Sequence, residues 1–398
     1  MEEYKNNWLC SDNLLSSGNK QLQSSFTPPH QQSVPLNKKR KPFLLRRGRS
    51  MIGLAVVLLT CASLGFFFLQ TPSGTKKWSF HLGGLMVSAP LVVNNKVYVA
   101  LTNGKIYALD ANSGRTRWSV QTGTPSKSYI ASSLTTADDI VYLINEGTLY
   151  ALDAFSGREQ WSFASASDEN VSPIVVNDTV YVPSEFGKLY ALDAKSGREK
   201  WFFQTRGGVR CSPVIVNSMI YILSDEGELY ALDEESGQQK WLAFTKGSSS
   251  LFSPIIFNNK IYIFSFNGEV EVFDMASGYE REYYHIMKIS IISSPPILIG
   301  DTIYTSSFDT LYAFDISSGK ERWSYQTGGS IFSPPAEGKG IIYTGSEDGK
   351  LYAINAASGQ VTWLYQAADQ ITSTPAIAND VVYFGSGNGN VYAIQSFK

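Results

Sequence analysis

The sequence has few of the residues from which metal sites and acid–base centres are built. Only three cysteines and three histidines occur in 398 residues. Cys10, Cys61 and Cys211 stand far apart, so neither a disulfide framework nor a metal-binding spacing is predicted. His81 and His285 are isolated, and neither lies in a motif that favours a catalytic role. Phosphate-binding loops, zinc motifs and nucleophile elbows are also missing from the sequence.

Positive charge is scarce in most of the chain. Residues 1–50 carry a formal net charge of +6, whereas the rest of the chain carries −8. A nucleic-acid-binding surface needs clustered Lys and Arg to neutralise phosphates. The acidic composition after residue 50 therefore argues against a nucleic-acid partner.

One phrase of about 40 residues is repeated through the chain. A complete copy, "SPIVVNDTVYVPSEFGKLYALDAKSGREKW", runs from Ser172 to Trp201. Its "LYALD" segment ends at Asp110, Asp153, Asp193, Asp233, Asp274 and Asp315, and at Asn355 and Gln395 in the last two copies. The spacing between successive copies is 40 to 43 residues. A period this regular indicates a repeat architecture in which each unit packs against its neighbours.

Each unit has the pattern of four short strands. Runs rich in Val, Ile, Tyr and Leu are separated by turn pairs such as Asn177-Asp178, Phe186-Gly187 and Ser196-Gly197. No run of ten or more residues in the repeats has helical spacing. The sequence therefore predicts an all-β, eight-bladed propeller of four-stranded antiparallel blades, with the strand around Trp78 completing the last blade.

The most regular residues of the repeat have a structural interpretation. We expect each Asp to accept backbone hydrogen bonds in the turn that Ser-Gly completes, and each Trp to pack between blades. The docking tryptophans are Trp78, Trp118, Trp161, Trp201, Trp241, Trp323 and Trp363. In the fifth unit, Glu271 replaces the usual Tyr and Glu282 the usual Trp. Two interblade contacts are thus predicted to be missing there, either compensated by neighbours or given up for a specialised surface.

A membrane segment is predicted before the repeats. Met51 to Leu69 contains 19 residues without a charge, roughly 28 Å of helix and close to the thickness of a bilayer core. We predict a disordered basic cytoplasmic tail (1–50), a transmembrane helix (51–70), a linker (71–77) and the propeller (78–398), which the positive-inside rule places outside the cytoplasm. A cleaved signal peptide and a lipoprotein anchor at Cys61 fit less well, because the basic block follows a long tail and Thr60 precedes the cysteine.

The phrases "ALDAFSGREQW", "ALDAKSGREKW" and "AFDISSGKERW" resemble the tryptophan-docking repeat of the pyrroloquinoline-quinone (PQQ)-like propeller family over residues 78–398. The resemblance implies one of two branches, the PQQ- and calcium-dependent dehydrogenases or a non-catalytic, BamB-like branch. The enzymes use adjacent cysteines, a catalytic Asp and a Glu/Asn/Asp calcium set in insertions between blades. This chain has no adjacent cysteines and almost no insertions. We therefore expect no cofactor or metal and a protein-binding scaffold, with a quinoprotein dehydrogenase or a ligand-sensing domain as alternatives.

A binding face is predicted from strand direction and loop length. The face bearing the loops between blades and the second-to-third-strand turns should point away from the membrane, since the linker enters from the other face. We expect a partner protein at the membrane or cell envelope to bind a monomeric propeller there. The predicted residues are Lys127, Ser128, Tyr129, Glu146, Glu185, Arg206, Arg210, Asp225, Glu226, Glu347 and Asp348. A ring of hydroxyls around the channel is also predicted, at Ser88, Ser133, Ser172, Ser212, Ser253, Ser294, Ser333 and Thr374.

Overall fold

The computed structural model describes residues 74–86, 88–124, 133–164, 171–184, 186–246, 252–286 and 289–396. These residues form eight four-stranded antiparallel sheets arranged as a propeller, so the predicted all-β class and blade number are confirmed. The described part of the chain contains no helix that is long and apolar enough to cross a membrane. The predicted tail and transmembrane segment lie outside the described residues.

The blades are numbered I to VIII by the chain order of their innermost strand. Blade I has β2 (Leu91–Val93), β3 (Lys96–Ala100), β4 (Lys105–Asp110) and β5 (Thr116–Gln121); blade II has β6 (Thr135–Ala137), β7 (Ile140–Asn145), β8 (Thr148–Asp153) and β9 (Glu159–Ala164). Blade III has β10 (Ile174–Val176), β11 (Thr179–Pro183), β12 (Lys188–Asp193) and β13 (Glu199–Gln204); blade IV has β14 (Val214–Val216), β15 (Met219–Leu223), β16 (Glu228–Asp233) and β17 (Gln239–Phe244). Blade V has β18 (Ile255–Phe257), β19 (Lys260–Phe264), β20 (Glu269–Asp274) and β21 (Glu280–His285); blade VI has β22 (Ser294–Ile299), β23 (Thr302–Ser307), β24 (Thr310–Asp315) and β25 (Glu321–Gln326). Blade VII has β26 (Ala336–Gly338), β27 (Ile341–Gly345), β28 (Lys350–Asn355) and β29 (Val361–Gln366); blade VIII has β30 (Ala376–Ala378), β31 (Val381–Gly385), β32 (Asn390–Gln395) and β1 (Lys76–His81).

Blade VIII combines strands from opposite ends of the repeat region. Its strand order is β1-β32-β31-β30, and Trp78 lies opposite Ala393 in the β1–β32 pair. The Gly74 amide donates to the Gln395 carbonyl at 2.7 Å. The indole Nε1 of Trp78 donates to the Ala111 carbonyl of blade I at 2.9 Å. Ordered pairing in blade VIII thus begins at residue 74, within the segment predicted as a linker.

The second and third strands of each blade hold the core. In blade I, Val97, Val99 and Leu109 are completely buried. Strands of this kind are apolar on both faces because another blade covers each face. The outer strands alternate between exposed and half-buried residues instead, as in the pattern of β9. The core therefore lies between adjacent blades, and the outer strands form the rim.

The strand directions sort the connections onto two faces. We call the face with the Asp-to-Gly turns between third and outer strands, such as Asp193–Gly197, the Asp-turn face. The opposite loop face carries the second-to-third-strand turns and the connections that lead from each outer strand to the next blade. Strand β1 begins on the Asp-turn face, because Lys76 pairs with Ile394 near the end of β32.

Candidate functional site

The Asp-turn face is built from one repeated hydrogen-bond pattern. Asp193 Oδ1 accepts the Ser196 amide at 2.8 Å and the Ser196 hydroxyl at 2.7 Å. These hydrogen bonds lower the pKa of the Asp193 carboxyl. In blade VII, Asn355 Oδ1 accepts the Ser358 amide in the same way, at 2.9 Å. The turn therefore needs an acceptor oxygen at this position and no negative charge, which is the behaviour of a structural residue.

Each turn glycine lies under an aromatic ring of the preceding blade. Gly197 has φ +68°, and a Cβ there would lie 2.5 Å from Trp161 Cε3. The same indole donates from Nε1 to the Ala194 carbonyl at 3.1 Å. Eight such contacts complete the circle: Trp78–Gly114, Trp118–Gly157, Trp161–Gly197, Trp201–Gly237, Trp241–Gly278, Tyr284–Gly319, Trp323–Gly359 and Trp363–Gly74.

Blade V has substitutes for both contacts that its sequence predicts to be missing. Tyr284, two residues beyond Glu282, covers Gly319 and donates from Oη to the Ile316 carbonyl at 2.5 Å. The buried Glu271 carboxylate accepts the Lys246 amide at 2.9 Å. In blade VII, the equivalent Tyr352 hydroxyl accepts the Gly328 amide at 2.9 Å. Tyr284 thus replaces the missing Trp, and the Glu271 carboxylate replaces the missing Tyr hydroxyl. Sequence alignment alone did not show either replacement.

The loop face brings part of the predicted binding set together in blade IV. Arg210 Nε lies 3.1 Å from Asp225 Oδ2, and Arg206 Nη1 lies 3.4 Å from Glu228 Oε1. Glu228 is almost fully buried although Arg206 is largely exposed. Tyr230 Oη donates to Glu228 at 2.6 Å, and burial, with this hydrogen bond, raises the pKa of Tyr230 to about 12. Sequence reasoning missed Glu228 because it lies at a strand start rather than in a turn.

The other predicted residues lie apart from this cluster. Glu146 is in the blade II turn, where its carboxylate accepts the Thr124 amide at 2.9 Å. Asp348, in blade VII, accepts the Tyr352 hydroxyl at 2.5 Å and the Lys350 amide at 2.9 Å. Burial alone would raise the pKa of Asp348, but these hydrogen bonds outweigh it and lower the pKa. Both acids therefore hold local loop structure.

Glu226 is exposed beside Asp225, and Glu347 is half-buried beside Asp348. Lys127, Ser128, Tyr129 and Glu185 lie outside the described residues. The predicted extra loop at 124–130 therefore stays a prediction, apart from Thr124.

Two exposed aromatic side chains on the loop face were not part of the prediction. Phe186 in the blade III turn is 67% exposed and Phe308 in the blade VI turn is 53% exposed. Phe308 has φ +52° and is the only aromatic residue with positive φ among the described residues. Backbone of this kind disfavours bulky side chains and often marks functional positions. The available signal was a Phe at a turn position that Asn or Asp occupies in four of the eight blades.

The predicted hydroxyls of the channel differ in burial. Ser294 and Ser333 are buried, whereas Ser172 and Ser212 are half-buried. Because a second Pro follows the serine in blades VI and VII, Ser294 and Ser333 lie three residues before Ile297 and Ala336, whereas Ser172 and Ser212 lie two residues before Ile174 and Val214. Several of these hydroxyls bond locally, as in the 2.7 Å hydrogen bond from Ser306 Oγ to Ser294 Oγ.

A cavity of about 350 Å³ lies among the residues that precede or begin the first strands of blades IV to VII. Its lining includes Arg210, Ser212, Ser253 and the buried Cys211, and is otherwise made of Phe252, Ile and Pro side chains. Burial raises the pKa of the Cys211 thiol to about 12, so the thiol is not an activated nucleophile.

The lining does not fit a PQQ–calcium pair of the kind found in the enzymes. It supplies no carboxylate or amide side chain, which are the oxygen donors that calcium prefers. Within the described ranges, no three His, Cys, Asp or Glu side chains come together as a metal site. No chemical step through a quinone or a metal follows from these residues.

Comparison with known families gives a match along most of the chain. The family profile described as outer membrane protein assembly factor BamB matches residues 55–172, 145–308, 242–325 and 287–396. No curated protein sequence matches the chain significantly.

Solved structures show the same fold at low identity. BamB from Moraxella catarrhalis is 21% identical with a TM-score of 0.64, over 81% of this chain and 99% of that one. A quinohemoprotein alcohol dehydrogenase from Comamonas testosteroni is 16% identical with a TM-score of 0.68, over 81% and 77% of the two chains. A europium-containing methanol dehydrogenase is 17% identical with a TM-score of 0.67, over 80% and 85%. Identities this low show the fold alone and do not distinguish a scaffold from an enzyme.

Proposed function

The chain belongs to the propeller family described as outer membrane protein assembly factor BamB, and from this premise we propose that it is a non-catalytic scaffold that binds a partner protein in the cell envelope. Family membership supports a protein-binding role, because that description names an assembly factor. The cavity lining supports the absence of quinone chemistry. The loop face is the surface that we assign to the partner.

The proposal includes a membrane anchor. The uncharged segment of 19 residues from Met51 to Leu69 and the basic block before it support a single-pass helix with the N-terminus in the cytoplasm and the propeller outside. A protease added to intact cells or spheroplasts should digest the propeller and spare an N-terminal epitope tag. Digestion of the tag alone would reverse the orientation.

The exposure of Phe308 on strained backbone is the observation that carries the binding proposal. A Phe at φ +52° costs folding free energy, and the ring offsets little of that cost because it remains 53% exposed. Such a cost is understandable if a partner buries the ring. The ion pairs of Arg206 and Arg210 lie two blades away on the same face, and interface centres are enriched in aromatic and Arg side chains.

The test compares substitutions on the two faces. The full chain, purified from native membranes with its bound proteins after mild cross-linking, should lose its partner when Phe308→Ser is combined with Arg210→Glu. The control Phe155→Ser removes a ring that is 66% exposed in the Asp-turn face and should retain the partner. Loss with the control and retention with the double variant would contradict the assignment.

The second candidate is a PQQ-dependent dehydrogenase. The observation in its favour is the fold that the chain shares with the quinohemoprotein alcohol dehydrogenase from Comamonas testosteroni. Adding PQQ and Ca²⁺ to the purified chain and measuring dye-linked oxidation of alcohols and sugars distinguishes the two functions. Turnover that depends on the cofactor would replace the scaffold proposal.

A further inference from the structure

The outer strand of blade VII differs in charge from the outer strands of the other seven blades. Strand β29 reads VTWLYQ and contains no charged residue. Every other outer strand carries at least one Lys, Arg or Glu: KKWSFH, TRWSVQ, EQWSFA, EKWFFQ, QKWLAF, EREYYH and ERWSYQ. Charged side chains on an edge strand prevent pairing with another chain. Blade VII lacks this protection.

The exposed side chains of β29 leave its edge open to another strand. Thr362 turns its hydroxyl inward to the Ala353 carbonyl at 2.9 Å. Gln366 Nε2 bonds the Gly349 carbonyl at 3.2 Å. Leu364, the remaining outward residue, is 46% exposed. The polar side chains are thus engaged within blade VII, and an apolar side chain lies at the middle of the edge.

The backbone of β29 specifies what kind of segment fits. Among the described strands, β29 pairs only with β28. In an antiparallel sheet, alternate N–H and C=O groups of an edge strand point away from its partner. Water satisfies such a row in the free protein, and an extended polypeptide can take its place; this addition of a strand is a known mode of recognition.

Two lysines and an apolar surface near β29 indicate which side chains a partner segment should carry. On the side towards blade VIII, Trp363 covers Gly74, two residues before the exposed Lys76 and Lys77 of β1. On the side towards blade VI, Tyr325 packs against Tyr352 with ring centroids 5.7 Å apart, and Leu364 pairs with Tyr352 on that same face. A segment added to β29 would place alternate side chains near two lysines and near apolar surface.

We propose that the free edge of β29 accepts an extended segment of a partner protein as a fifth strand of blade VII. The segment is uncharged where it pairs, apolar on the side of Leu364 and acidic on the side of Lys76 and Lys77. This inference rests on the proposed scaffold function and adds a second contact, on the rim, to the one assigned to the loop face.

The test uses the detergent-purified full chain and a labelled decapeptide in which Val and Thr alternate, with two Thr positions replaced by Asp. Fluorescence anisotropy should show binding. N-methylation of alternate amides, which removes strand hydrogen bonding and keeps the side chains, should weaken binding at least about tenfold, the equivalent of about 1.4 kcal/mol. Leu364→Lys should weaken it similarly, whereas Ser324→Lys, at the same strand position in blade VI, should leave it unchanged. No binding to the unmodified chain, equal binding of the N-methylated peptide, or full binding by Leu364→Lys would each overturn the proposal.

A second experiment separates this proposal from the scaffold function. A photoreactive residue at position 364 should cross-link the same partner protein that one at position 210 captures in native membranes. Capture at 210 without capture at 364 keeps the scaffold function and overturns the edge proposal. Failure at both positions overturns both.

Discussion

The two faces of the propeller are built from the same repeats but treat sequence variation in opposite ways. On the Asp-turn face, an Asp or Asn acceptor and a Gly recur in seven copies of the turn, and Gly74 supplies the glycine of the eighth. On the loop face, equivalent turns carry Asn103, Glu146, Phe186, Glu226 or Phe308. A residue that every blade needs identifies the fold. A residue that departs from the repeat at a cost in backbone conformation, as Phe308 does, is where we propose a binding site.

We expect the largest effect from damaging the repeated contact between a turn glycine and the aromatic ring of the preceding blade. In Gly197→Ala, the new Cβ would lie 2.5 Å from Trp161 Cε3, and positive φ adds about 1–2 kcal/mol. We expect a loss of at least about 3 kcal/mol in the free energy of unfolding, measured by denaturant titration. Gly340→Ala is the matched control, since Gly340 has φ +78° with no atom within 4 Å of a Cβ; it should show the backbone cost alone. Equal losses would mean that the ring contact does not matter.

The next test concerns blade V, where Tyr284 covers the turn glycine that a Trp covers in the other blades. Tyr284→Ala should cost about 3 kcal/mol because it empties the contact over Gly319, and Tyr284→Phe about 1 kcal/mol because it removes the hydrogen bond to Ile316. Thermal unfolding of the two variants measures both effects.

The same region tests whether a Trp is missing at position 282. Glu282→Trp should not raise stability, since Tyr284 already occupies the docking position and the substitution removes the Lys260–Glu282 ion pair at 2.5 Å. A clear rise in melting temperature would mean that Tyr284 fills the position poorly.

Acid should weaken the Asp-turn face. Hydrogen bonds from Arg117 and Ser113 hold the pKa of Asp110 at about 2, below the roughly 3.9 of an unfolded chain. Because the folded pKa is the lower one, this stabilisation is complete above about pH 4 and is lost as the pH falls towards 2. Asp110→Asn should therefore lose less stability than the unmodified chain between pH 4 and pH 2. An unchanged slope would show that the carboxylate is not linked to folding.

The smallest expected effect is on the loop face and has the opposite sign. Phe308→Asn should raise the free energy of unfolding by up to about 1 kcal/mol, because Asn tolerates positive φ, as at Asn94 and Asn177. The same substitution should weaken partner capture. A loss of stability would mean that the Phe308 ring supports the fold.

The eight blades could be predicted from the sequence, because the number of repeats gives the number of blades and the strand–turn pattern gives four strands in each. The docking role of Tyr284 could not be predicted from the sequence. Alignment places Glu282, not Tyr284, at the Trp position, and it does not show that a ring two residues further on can reach the same glycine. Glu228 was missed for a similar reason: its burial depends on Tyr230 and Arg206, which a turn motif does not specify. The deeper burial of Ser294 and Ser333 was not predicted, because the additional Pro in these two blades places each serine one residue earlier than Ser172 and Ser212.

The most direct test of the difference between the faces uses two rings of equal exposure. Phe186 on the loop face is 67% exposed and Phe155 on the Asp-turn face is 66% exposed. A photoreactive phenylalanine is introduced at each position of the full chain, and cross-linked products are compared in native membranes. We predict a specific partner band from position 186 and none from position 155. A partner band from position 155 alone would contradict the account.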